Sequence, residues 1–107
     1  MAKHHVVFKV YPNGDIDYKP GLLHASPDDT VSWSCNKTPF FVSFMEETPF
    51  ADKAYFSPGT ATPDEPVLST ATPGTYHYQI GAVVKVKKGG KTVTKVVVSA
   101  CPEIEIP

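Results

Sequence analysis

Four histidines and two cysteines are the side chains of this 107-residue chain best suited to metal or nucleophilic chemistry. Their spacing decides what they can do. His4 and His5 are adjacent in a run of strand character, HHVVFKV, and therefore point to opposite faces. His24 takes an outward position in an alternating segment, and His77 lies between Tyr76 and Tyr78, which the same alternation turns inward. No two of the four share a face at ligand spacing, so isolated surface histidines are expected rather than a designed metal site. Cys35 and Cys101 form no C-x-x-C pattern and read as two buried thiols behaving as small hydrophobes. Asp28-Asp29 and Glu46-Glu47 are sequence neighbours, better explained by a turn and a solvated strand end than by an acid/base pair. No serine lies in a G-x-S-x-G elbow, and Gly89-Gly90 opens no helix that could cradle a phosphate. An enzyme is not expected, and no cofactor is implied.

The elements that must position these residues are strands. HVVFKVY is β-branched and aromatic, and PNGD, with Asn13-Gly14, then supplies a tight turn. IDYKPGLLHAS continues as extended chain broken at Pro20-Gly21. TVSWSC alternates, with Val31, Trp33 and Cys35 on one face and Thr30, Ser32 and Ser34 on the other. FFVSF follows at 40 to 44. Between Met45 and Ser69 prolines at 49, 58, 63 and 66 dissolve the pattern into a long connection with at most one helical turn, near ADKAYF. TPGTYHYQIGAVVKV, KTVTKVVVSA and CPEIEI are strands again. Seven to eight strands without paired helices predict a single all-β domain over 1–107, a two-sheet sandwich or small barrel.

Lysine supplies all ten basic charges and the formal net charge is −1, so neither nucleic acid nor a membrane is an expected partner. The N-terminus shows no apolar stretch followed by a small-residue cleavage site; the expectation is a cytoplasmic protein, or an exported one if a signal peptide has been removed.

The run YKPGLLHASPDDTVSW at 18–33, PFFVSF at 39–44, PGTYHYQI at 73–80 and CPEIEI at 101–106 together resemble the cupredoxin, or blue-copper-like, family. The resemblance implies a Greek-key β-sandwich and places copper ligands at two of these positions. Phe40 stands where the first copper histidine follows a proline, and Ile80 stands where the copper cysteine ends its strand. The segment after Ile80 has neither the second histidine nor the axial methionine. A blue site needs the thiolate and two imidazoles, so a frame without its type-1 copper is implied. Proximity of Cys35 and Cys101, and a disulfide between them, is an option that this frame opens. A sandwich of the immunoglobulin type is disfavoured because Trp33 has no cysteine in the strand before it.

What replaces the ligand loop is an extended C-terminal hairpin. A two-residue turn at Gly89-Gly90 pairs Lys88 with Lys91, Lys87 with Thr92, Val86 with Val93 and Lys85 with Thr94. Lys85, Lys87, Thr92 and Thr94 then share one face, and Val84, Val86 and Val93 share the other. Val96, Val97 and Val98 are apolar on both faces, as expected where the ribbon enters the sandwich. The valine face either folds over the end of the sandwich near Phe40 and Ile80, the simpler expectation, or projects to meet a protein partner or a second copy. Phe40, Phe41 and Phe44 are a second candidate surface, since alternation sends Phe41 to the face opposite its neighbours. The expectation is a non-catalytic binding module, with self-association or a protein partner through 83–98. The competing class is a copper or zinc protein with ligands relocated among His4, His5, His24, His77, Cys35 and Cys101.

Overall fold

The computed structural model describes residues 2–11, 13, 15–35, 38–59, 61–99 and 102–107, without the side chains of Val86 and Ser99. The described residues form ten strands and no helix. One sheet has the order β2 (Ile16–Lys19), β1 (Lys3–Val10), β4 (Thr30–Cys35), β7 (Glu65–Pro66). The other runs β3 (Leu22–His24), β10 (Glu103–Ile106), β8 (Gly74–Lys88), β5 (Phe40–Phe44), β6 (Ala54–Ser57), with β9 (Lys91–Ser99) also on β8. Both sheets mix parallel and antiparallel pairs: β1 lies parallel to β4, and β10 parallel to β3. The chain passes from the first sheet to the second at Pro20-Gly21, between β2 and β3. That proline offers no N–H to a ladder.

Alternation builds the core between the sheets. Val6, Phe8 and Val10 of β1 and Val31, Trp33 and Cys35 of β4 turn inward to meet Phe40, Val42 and Phe44 of β5 and Tyr76, Tyr78 and Ile80 of β8. Trp33 is the centre. Its ring meets those of Phe50, Tyr55 and Tyr78 at 5.4, 5.6 and 6.1 Å between centroids, and its Nε1–H donates to the Tyr78 hydroxyl at 3.4 Å. Burial pushes the Tyr78 phenol up to about 12, the Trp33 hydrogen bond opposing the shift. The Trp33 backbone is clamped by Thr62, which accepts its N–H at Oγ1 (2.9 Å) and donates its own N–H back to the Trp33 carbonyl (2.8 Å).

Two expectations are corrected here. The connection from 45 to 69 contains no helical turn among its described residues; Ala54–Ser57 is a strand antiparallel to β5. Within AYFS, Tyr55 and Ser57 face the core and Phe56 faces out, a period of two that four residues between prolines are too short to advertise. This strand, the two-residue β7 and the break at Pro20 raise the strand count above seven to eight.

The hairpin does not fold over the sandwich. β8 is one unbroken strand of 15 residues. At about 3.3 Å per residue it spans nearly 50 Å, and the molecule measures 52 Å by 21 by 20 Å. Continuous pairing from Ile80 with Ser99 to Lys88 with Lys91 leaves the ribbon no place to bend back. Gly89 and Gly90 close the turn with φ of +61° and +79°, the left-handed pair that a two-residue hairpin turn demands. Phe40 and Ile80, which the cap was to cover, are already buried by the core itself. The turn expected at Asn13-Gly14 falls partly outside the described residues, as do Cys101 and hence its pairing with Cys35, which is buried.

Candidate interaction surface

Asp29 and the four histidines each make local hydrogen bonds or ion pairs. Asp29 gathers three donors: the N–H of Ala2 at 2.8 Å, the ring of His4 at 2.9 Å and the N–H of Ser26 at 3.0 Å. These, the Ala2 N–H foremost, hold its carboxyl well below the usual carboxylate range. His5 bridges Ser32 and Ser34 of β4 through its two ring nitrogens, at 2.7 and 2.8 Å. His24 and His77 share a face because β10 lies between β3 and β8, a relation between strands that alternation along each one does not reveal. Each takes a different β10 carboxylate, Glu105 at 3.3 Å and Glu103 at 3.6 Å. Among the described residues no group of three or more histidine, cysteine or carboxylate side chains is placed to hold a metal.

The positions that the cupredoxin resemblance assigns to copper are apolar and inside. Phe40 and Ile80 occupy adjacent rows on the inner side of the β5–β8 pair, where Phe40 is opposite Ala82 and Ile80 is opposite Val42. Phe40 meets Phe8 edge-on at 5.8 Å. Phe44 is inside too, packed on Phe50 and Tyr78.

Two concavities mark the ends of the body. A groove of about 590 Å³ is lined by Met45, Glu46 and Glu47 and by the chain from Thr72 to His77. Its described lining holds carboxylates and one histidine, and among the described residues no nucleophile there is hydrogen-bonded to a base. A notch of about 440 Å³ lies where the hairpin leaves the sandwich, between Val10, Tyr11, Thr38 and Pro39 on one side and Val83, Val84 and Lys85 on the other.

The candidate residues of the hairpin divide between its two faces. Val84 is half-buried against the core, Val93 beyond it is exposed, and the side chain of Val86 lies outside the described residues. Lys85 and Lys87 stand exposed on the opposite, outer face, together with the half-buried Phe41. Only Val97 of the valine triplet is buried; Val96 and Val98 point outward, 57% and 55% exposed. Register then assembles a row that sequence reasoning missed. Phe56 pairs with Phe41, Phe41 with Gly81 and Gly81 with Val98, so one line of outward residues crosses β6, β5, β8 and β9. Val83 and Val96 form the next line toward the tip. Phe56 is 71% exposed, the most exposed large apolar side chain described. The ring of Phe41 lies across Gly81, where an added Cβ would collide with it, and so closes the gap between Phe56 and Val98. The parity that sets Phe41 against Phe40 was the available signal; the strand order that aligns it with Phe56 and Val98 was not.

Charge divides the molecule along its length. Residues 81–99 carry five of the ten lysines and none of the eleven carboxylates, so the hairpin is +5 and the rest of the chain −6. No family model matches this chain, and no curated protein matches it.

Proposed function

We propose that this chain is a non-catalytic protein-interaction module, built on a cupredoxin-like frame whose copper site has been replaced by core. The observation that carries the reading is the outward apolar row of Phe56, Phe41 and Val98, continued by Val96, on one face of one sheet. Large apolar side chains left in solvent on a β-sheet contribute little to folding, and contiguous ones mark contact surfaces. Buried Phe40 and Ile80 support the lost metal site, since neither side chain has an atom that ligates copper. The alternative, a relocated copper or zinc site, rests on His24 and His77 sharing a face with Glu103 and Glu105.

The test has two arms. Titration of the reduced, metal-free protein with Cu(I), Cu(II) and Zn(II) is expected to show no tight stoichiometric binding; such binding, abolished by His24→Ala or His77→Ala, would install the alternative. Thermal unfolding of Phe56→Glu is expected at the wild-type temperature, because the side chain supports a contact and not the fold. A loss comparable with a core truncation would remove the ground for an interaction surface.

A further inference from the structure

Resting on that reading, the geometry points to the partner: we propose that the outer face of the β6–β5–β8–β9 sheet binds a second copy of itself about a two-fold axis lying along the Phe56–Phe41–Gly81–Val98 row. Counted along β8 from Gly81, Lys85 lies four residues toward the tip, and His77, paired with Glu103, lies four residues the other way. Lys87 lies six residues toward the tip, and Thr75, paired with Glu105, six residues back. All of these side chains share the parity of Gly81 and therefore face outward. A half-turn about the central row keeps each strand over its counterpart and reverses its direction. It carries Lys85 onto the neighbourhood of Glu103 of the second copy and Lys87 onto that of Glu105.

The same operation sets Phe56, Phe41 and Val98 against their own copies, so an apolar centre is flanked by two symmetric sets of opposite charges. This is the self-complementarity an isologous interface requires. The ion pairs with His77 and His24 hold the two glutamates on this face. Along β8 this face runs roughly 40 Å from Thr75 to Lys87 at about 3.3 Å per residue; it is four strands wide beside Gly81, where β6, β5 and β9 join β8, and two strands wide toward the tip, where β9 is its ladder partner.

Pairing through the free edge of β9 is the competing way to join two copies. It sets two hairpins of charge +5 side by side with no carboxylate between them, and like charges there oppose association.

Sedimentation velocity on the whole chain, from micromolar to millimolar concentration, tests the assignment. The wild type should dimerise, and Phe56→Glu should raise the dimer Kd on the order of tenfold or more, as loss of an aromatic anchor on the axis does. Lys85→Glu with Lys87→Glu, and separately Glu103→Lys with Glu105→Lys, should each give monomers that unfold near the wild-type temperature when both are measured at dilutions where the wild type is also monomeric. Mixed in equal amounts, the two should form a heterodimer, because every charged contact across the axis is then opposite in sign. An edge-paired dimer would instead tighten when the hairpin lysines are replaced, which overturns the face-to-face assignment. A wild type that stays monomeric also overturns it; if Phe56→Glu then still unfolds at the wild-type temperature, the interaction-module reading survives with a different partner. Failure of the charge-reversed pair to associate, with both variants folded, overturns the proposed axis.

Discussion

Along β8, Tyr76, Tyr78, Ile80 and Ala82 lie beneath the opposite sheet, while Lys85, Lys87 and Lys88 stand in solvent on the same unbroken strand. The two halves share one backbone and one register, and differ in what covers them. In the body half, every second residue is fixed by a second sheet about 10 Å away. In the projecting half, only β9 holds the strand, and a two-stranded ribbon is marginal by itself in water. The body should therefore answer to volume, and the hairpin to backbone conformation and charge.

The largest expected effect is in the body. Trp33→Ala removes the ring on which Phe50, Tyr55 and Tyr78 converge and leaves the Tyr78 hydroxyl without its donor. A loss of about 3–5 kcal/mol in urea unfolding is expected. A loss under about 1 kcal/mol would mean that the core does not depend on the aromatic cluster around Trp33.

Gly81 sits at the boundary between the halves, and its test sharpens where the body ends. Gly81→Ala drives a methyl into the Phe41 ring, at a cost of about 1–3 kcal/mol as for other overpacked sites. Phe41→Ala in the same chain should return most of that loss, read as a negative deviation from additivity in a double-mutant cycle. Additive losses would show that Gly81 is needed for its backbone and not for the ring above it.

Much of this division was legible in the sequence. The hairpin register follows from Gly89-Gly90 and the lysine–valine alternation, because a two-residue turn leaves the flanking strands one pairing. The inward sets of β1, β4, β5 and β8 follow from period-two alternation. The rest depends on contacts distant in sequence. β6 was hidden by the prolines around a four-residue strand. The Phe56–Phe41–Val98 row exists only once β5 is known to lie between β6 and β8. Asp29, read as a turn residue, is also the acceptor for Ala2 and His4, more than twenty residues away, and turn chemistry cannot announce such partners.

That buried carboxylate offers a pH test confined to the body. The folded state holds Asp29 below its unfolded value, so its contribution is present above about pH 3.9, the ordinary value for aspartate, and is lost as pH falls through the depressed folded value. Asp29→Asn should be less stable than wild type at neutral pH, with the gap in urea midpoint constant down to about pH 4 and narrowing below it. A gap independent of pH would assign the loss to packing rather than to the charge.

The smallest global effect, and the sharpest contrast with Trp33, belongs to the turn. Gly90 has φ of +79°, where an L side chain costs about 1–2 kcal/mol. If the ribbon opens on its own, that strain falls on the local equilibrium and not on the sandwich. Gly90→Ala should speed amide exchange at Lys85–Thr94 about tenfold, the factor that roughly 1.4 kcal/mol represents, while amides of β1 and β4 exchange as in wild type. The hairpin would then be a separately folding unit carried by the body, free to be ordered by whatever binds its outer face. Equal acceleration in β1 and β4 would instead join the ribbon to the core as one cooperative unit, and the contrast between the halves of β8 would be one of exposure alone.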